Sequence, residues 1–187
     1  MATTLTRSTR AATTTPLAPR LRVSTMSTPI GPLTILAADG LVCAGGFTEE
    51  IDSLAVRLRP DLRSAPIART DDLGPITEAL TAYFAGDLAS LNTIAVAPRG
   101  GPFQQRVWDV LREIPPGQQT TYRDIAIQLG GRQLARAVGT ANATNPIAPI
   151  IPCHRVVGTD GRLRGYYWAL DRKRWLLDHE QRHARPS

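Results

Sequence analysis

The chain has 187 residues, 42% of them hydrophobic and 20% charged, with a formal net charge of +6. That length and balance fit one domain, or two small ones sharing a core, and no apolar run reaches the roughly 20 residues of a membrane-spanning helix. Two cysteines, Cys43 and Cys153, with no C-x-x-C pair, exclude a disulfide scaffold or a structural zinc cluster and point to a reducing, cytoplasmic setting.

The charge is unevenly placed. Residues 1–22 carry four arginines and no acid, residues 23–98 four arginines against nine acids, and residues 99–187 thirteen arginines and one lysine against seven acids. A basic C-terminal half suits a polyanion such as nucleic acid, although a solvated arginine-rich surface gives the same counts.

Residues 1–26 read as a disordered tail, because a Thr-, Ala- and Arg-rich stretch without apolar periodicity cannot build a core. The tail is Arg-rich and acid-poor like a transit peptide, yet lacks the apolar run of a secretion signal. On this reading Met26 is a candidate start, and structure begins near Ser27. Leu33–Ala37 and Leu41–Phe47 flank Ala38-Asp39-Gly40, and Asp-Gly between apolar runs predicts a β-hairpin with Cys43 as a buried filler. Ile76, Leu80, Tyr83 and Phe84 follow helical spacing up to a stop at Gly86, and Thr93–Ala97 predicts another strand. Residues 27–98 therefore form an α/β unit with a small sheet, and Pro98-Arg99-Gly100-Gly101 a boundary.

From residue 99 to 187 the pattern is mainly α-helical. Phe103, Val107, Val110, Leu111 and Ile114 share a face behind Pro102, and Pro115-Pro116-Gly117 ends that helix. Thr121 to Asp124 resembles a capping box for a helix carrying Tyr122, Ile125, Ala126 and Leu129. Gly130-Gly131 then turns into a second helix from Gln133 to about Ala143, which makes a helix-turn-helix candidate. On that second helix Ala135, Gly139 and Ala143 recur every four residues beside Arg136. So small a face permits either tight packing on a neighbouring helix or close approach to a nucleic-acid groove with Arg136 projecting.

Chemistry concentrates where an apolar run ends in Pro152-Cys153-His154-Arg155-Val156. A histidine beside a thiol can accept its proton, and Arg155 adds positive field; adjacent side chains rarely face each other, so a water bridge or a bent geometry is required. Glu180 is a candidate to orient the imidazole. His179-Glu180-Gln181-Arg182-His183 matches the zinc-protease pattern H-E-x-x-H, but its polar surroundings and the lack of a downstream third ligand argue against zinc.

Together, Ala135-Arg136-Ala137-Val138-Gly139, Asn145-Pro146, Pro152 to Val156, Gly165-Tyr166 and Arg172 to Glu180 resemble the methylated-DNA–protein-cysteine methyltransferases, most strongly over residues 102–180. The resemblance implies a ribonuclease-H-like N-terminal α/β subdomain and a winged-helix-like C-terminal domain. It implies irreversible, single-turnover transfer of an alkyl group from O6-alkylguanine, and from O4-alkylthymine, in DNA to Cys153. By the same analogy His154 is the general base through a water, Glu180 holds its ring, Asn145 fixes the turn, and Tyr122 bonds the flipped base. Arg136 would fill the gap in the stack, with Gln133, Ala135, Gly139 and Thr121 along the minor groove of double-stranded DNA. Val156, Tyr166, Tyr167 and Trp168 would form the substrate pocket. No cofactor or metal is implied, since the zinc-binding Cys and His set of some relatives' N-terminal halves is missing, and the protein would act as a monomer, with cooperativity on DNA left open. The chain departs from the family's common Tyr-Ser-Gly-Gly with Tyr166-Tyr167-Trp168-Ala169, so either pocket size and stacking change or Trp168 merely packs beside the loop. The rival reading is a non-catalytic helix-turn-helix protein that recognises alkylated DNA, which would have no use for the cysteine.

Overall fold

The computed structural model describes residues 21–184. Strands β1 (Leu21–Thr28), β2 (Gly31–Ala38) and β3 (Leu41–Gly46) make an antiparallel meander, and β4 (Ile67–Arg69) adds in parallel to the other side of β1, giving the order β3-β2-β1-β4. The β2–β3 turn is the expected Asp39-Gly40 pair, with φ of 51° and 78°. Positive φ at both central residues is what a two-residue hairpin turn matched to strand twist requires.

The expected tail is corrected over its last six residues, while residues 1–20 lie outside those described. Leu21 to Met26 are strand, paired with β2 from Leu21↔Ala38 to Met26↔Leu33 and with β4 from Leu21↔Ile67 to Val23↔Arg69. Met26 thus sits inside β1 rather than ahead of the first element. Its Ser, Thr and Arg look like continued tail, and only two flanking strands make them a ladder; Leu21 and Val23 alternate inward and Arg22 donates to the Asp72 carbonyl at 2.8 Å.

Short helices α1 (Ile51–Ala55) and α2 (Pro60–Arg63) lead to β4, and α3 (Pro75–Phe84) buries Ile76, Leu80 and Tyr83 as the spacing requires. Gly86, at φ 109°, ends α3 with the Asp87 N–H on the Ala82 carbonyl, a left-handed cap that favours glycine. The expected strand at Thr93–Ala97 is corrected: Thr93 closes a 3-10 turn over Leu88–Thr93, and only Val96 pairs, with Val42 on β3. The rest of that β3 edge is taken elsewhere. Gly45 bridges Ile147, donating to the Pro146 carbonyl at 2.8 Å and accepting from the Ala148 N–H at 3.0 Å. The sheet edge therefore holds the segment that leads into Cys153.

In the C-terminal half, α4 (Pro102–Glu113) buries Val107, Trp108 and Leu111; a β5 stub (Thr120–Thr121) precedes α5 (Tyr122–Gln128), and a 3-10 turn leads into α6 (Ala135–Ala143). Trp108 donates from its indole to the Ala141 carbonyl at 2.9 Å, locking α6 on α4. β6 (Val156–Val157) pairs in parallel with β5, and α7 (Leu170–His183) closes the chain. One apolar cluster runs through both halves, from Leu21 to Leu176.

Candidate active site

A 3-10 turn over Cys153–Arg155 turns the Cys153 side chain to Asn145 and those of His154 and Arg155 to Glu180. The Cys153 thiol is buried and accepts a hydrogen bond from Asn145 Nδ2 at 3.0 Å. The same amide nitrogen donates to the Ile151 carbonyl at 2.8 Å, and Asn145 Oδ1 accepts from the Ile147 N–H, so Asn145 ties together the whole turn before the cysteine. Burial pushes the thiol pKa up, against the Asn145 hydrogen bond and the positive charges of Lys173 and Arg57. The cysteine is consequently a protonated thiol at neutral pH that needs a base.

The neighbouring imidazole is held from behind. His154 Nε2 lies 2.8 Å from Glu180 Oε1, both side chains fully buried. Arg155 grips the same carboxylate through Nε at 2.9 Å and Nη2 at 2.8 Å, Tyr83 donates its hydroxyl at 2.9 Å, and the Gly117 N–H adds a bond at 3.2 Å. Burial by itself would raise the Glu180 carboxyl, but His154 and Arg155 hold it well below the usual carboxylate range. An ionised Glu180 needs a proton on Nε2, which leaves Nδ1 as the basic nitrogen; Nδ1 is buried with no hydrogen-bond partner among the described residues. Burial lowers the His154 pKa despite Glu180, so the imidazole is neutral and ready to accept a proton.

Sequence reasoning assigned Arg155 to the field at the thiol, whereas the structure turns it to Glu180 and to the Ile114 carbonyl at 2.6 Å. The positive field at Cys153 comes from residues that reasoning missed. Lys173 is the one lysine in the chain; it is buried and donates to the carbonyls of Val156 at 2.6 Å and Arg164 at 3.0 Å. Burial lowers its pKa to about 8, with Cys153 acting the other way. Its isolation among arginines was a visible signal, since a compact ammonium with three donors fits where a planar guanidinium does not. Asn142 was also missed. It is buried, donates to the Cys153 carbonyl at 3.4 Å, and lines the pocket at the thiol.

That pocket is a narrow, nearly filled cleft lined by Asn142, Asn145, Cys153, Tyr166, Tyr167 and Trp168, with Ala143 and Gly165 at its edge. It adjoins an open groove formed by Tyr122, Ala135, Arg136, Gly139, Thr140 and Ala143, to which Tyr166 and Tyr167 also belong. The small-residue stripe of α6 thus faces this groove, while Val138 and Ala141 pack inward. Burial raises the Tyr122 pKa, and Cys153 adds to the effect. Other expected residues stand apart. Val156 is buried in β6 and offers only its carbonyl, to Lys173; Thr121 caps α5, accepting from the Asp124 N–H at 3.1 Å; Gln133 is exposed on the turn before α6. His179 Nε2 bonds the Tyr83 carbonyl at 2.8 Å, Glu180 bonds His154, and His183 Nδ1 bonds the His179 carbonyl at 2.9 Å, so the three H-E-x-x-H side chains do not converge on one point.

Residues 102–182 match the model of the 6-O-methylguanine DNA methyltransferase DNA-binding domain. The methylated-DNA–protein-cysteine methyltransferase of Salmonella typhimurium is 40% identical over 164 residues, 86% of this chain and 96% of that protein. The chain belongs to the methylated-DNA–protein-cysteine methyltransferases. The methyltransferase of Methanosarcina barkeri is likewise 40% identical, over 86% of this chain and 97% of its own length. Among solved methyltransferases, Mycobacterium tuberculosis OGT in complex with DNA superposes with a TM-score of 0.73 at 37% identity, covering 87% of this chain and 94% of that one. The mixed α/β architecture, a small sheet with several helices, is shared with these methyltransferases.

Proposed function

We propose that this protein repairs DNA directly, removing the alkyl group of O6-alkylguanine, and of O4-alkylthymine, onto Cys153 in one irreversible turnover. The observation that carries the reading is the buried thiol bonded to Asn145 at 3.0 Å beside a His154–Glu180 pair at 2.8 Å, the thiol lining a pocket that adjoins the small-residue groove of α6 and Arg136.

The step is a single displacement. The Cys153 sulfur forms a bond to the alkyl carbon as the carbon–O6 bond breaks, its electron pair staying on the base. The thiol proton passes to His154 Nδ1 through a water, because neighbouring side chains on a 3-10 turn do not face each other. Tyr122, its proton held firmly by burial, donates toward the base as negative charge develops there. The thiol proton finally replaces the alkyl group on the base. The thioether left on Cys153 has no hydrolytic exit, so each molecule acts once.

Double-stranded DNA is the partner, contacted along its minor groove. A target atom inside the stack must be extruded at a cost of a few kcal/mol. Arg136 takes the vacated place, Ala135 and Gly139 let the α6 backbone approach, and Gln133 and Thr121 lie alongside. The protein works as a monomer. The order β3-β2-β1-β4 with a parallel edge strand supports the ribonuclease-H-like reading of residues 27–98, to which Leu21–Met26 are added, and α4 to α6 with the β5–β6 pair support the winged-helix reading of residues 99–187.

Intact mass after incubation with a duplex holding one O6-methylguanine tests the proposal. One added methylene mapped to Cys153, and none on Cys153→Ala, is the expected result. Binding without any gain would instead make this a damage-recognition protein.

A further inference from the structure

The loop of residues 165–169 over the thiol is held from outside its own half. Trp168, only 7% exposed, lies against Gly46 at the end of β3, where an added Cβ would clash with the six-membered ring of the indole. Tyr167, 63% exposed, meets Trp168 edge-on at 4.7 Å. The Arg57 guanidinium, just past α1, sits 4.3 Å from the Tyr167 ring centre and 5.6 Å from that of Trp168. Arg57 also donates to the carbonyl of Asn145, whose amide bonds the thiol. From the far side Arg172 donates to the carbonyls of Ile30, Phe47 and Trp168.

We infer that Gly46 and Arg57 are positioning residues through which the N-terminal sheet clamps the Tyr167–Trp168 pair over the pocket, and thereby sets how large a group reaches Cys153. Two independent contacts carry this. An indole can lie so close to a strand backbone only where there is no side chain, and a guanidinium over aromatic faces is attracted by their electron-rich surfaces. Both rings line the pocket that holds the thiol, so a loop displaced from Gly46 or released by Arg57 widens it. The consequence for function rests on the proposed transfer, in which a clamped loop favours small alkyl groups.

The test reads the thiol itself and needs no DNA. The full chain is labelled with iodoacetamide and, separately, with N-pyrenylmaleimide, modification of Cys153 being distinguished from Cys43 by peptide mass. Arg57→Gln and Gly46→Ala are each expected to speed maleimide labelling of Cys153 about five- to tenfold while iodoacetamide changes less than about twofold. Trp168→Ala alone gives the same gain, and adding Gly46→Ala to it gives no more, because the atoms that clash are gone. Equal acceleration of both reagents, unchanged maleimide rates, or additive effects of Gly46→Ala and Trp168→Ala would each overturn the clamp. Methyl transfer from an O6-methylguanine duplex is measured in parallel. Its absence from the unmodified protein, with the labelling pattern intact, would uphold the clamp and overturn only the repair reading.

Discussion

Tyr83 and Glu180, separated by 97 positions in the chain, are joined by a buried 2.9 Å hydrogen bond. A phenol from α3 in the N-terminal half thus supports the carboxylate that orients His154. Tyr83→Phe removes one of several donors to Glu180 and is expected to cost about 1–2 kcal/mol of stability, read from urea unfolding, with a smaller loss of transfer rate than Glu180→Gln. An unchanged unfolding midpoint would mean that the remaining donors compensate fully.

The depressed Glu180 pKa has a definite sign. A carboxyl whose folded pKa lies below its ordinary 4.5 contributes stability that is complete above that value and is lost as pH falls toward the folded one. Acid unfolding of the unmodified protein should therefore steepen below pH 4.5. Glu180→Gln, about 3–5 kcal/mol less stable at neutral pH because His154 and Arg155 lose a buried partner, should show a flatter acid limb. Parallel limbs for the two proteins would contradict the assignment.

With His154 as the base of the proposed transfer, its pKa is expected to set the pH dependence of the chemistry. Burial keeps its pKa below 6.5, so the neutral base persists as the solution is acidified through that value. Single-turnover transfer should hold its rate from pH 7.5 to pH 6.5 and fall only below. A fall centred above pH 6.5 would require another base.

Lys173→Met removes both a positive charge near the thiol and the donor to two carbonyls. The thiol pKa should move further up, seen as a shift of the iodoacetamide pH profile to higher pH, and stability should drop by about 2–4 kcal/mol. Since the Lys173 ammonium titrates at about 8, its help to the thiolate fades above that pH in the unmodified protein. A profile that does not move would leave Lys173 with a purely structural role.

Arg136 and Gly139 test the groove. Arg136→Ala should slow repair of a duplex about tenfold or more, and reaction with the free alkylated base very little, because only the duplex has a stack to hold open. Gly139→Ala has room for its methyl, 3.9 Å from Tyr122, and should raise stability by about 0.5–1 kcal/mol, whereas Gly139→Leu should fold yet bind duplex poorly. Equal losses on both Arg136→Ala substrates, or tight duplex binding by Gly139→Leu, would count against this face.

Local chemistry wrote much of this molecule into its sequence. Asp39-Gly40 between apolar runs specifies a hairpin because few other residues accept two positive φ angles in succession, and the spacing of Ile76, Leu80 and Tyr83 or of Val107 and Leu111 specifies helices with one buried face. Pro152-Cys153-His154-Arg155 singles out a thiol beside an imidazole, and Glu180, a candidate to orient that imidazole, lies 2.8 Å from it. What depended on partners far along the chain stayed invisible. Leu21–Met26 becomes a strand only between β2 and β4, and Thr93–Ala97 fails to become one because β3 divides its free edge between Val96 and Ile147. The direction in which Arg155 points, the placement of Lys173 behind the thiol, and the convergence of Tyr83, Gly46 and Arg57 on the site are set by packing between the two halves. Periodicity reports which face of an element is buried; only the fold decides what that face meets.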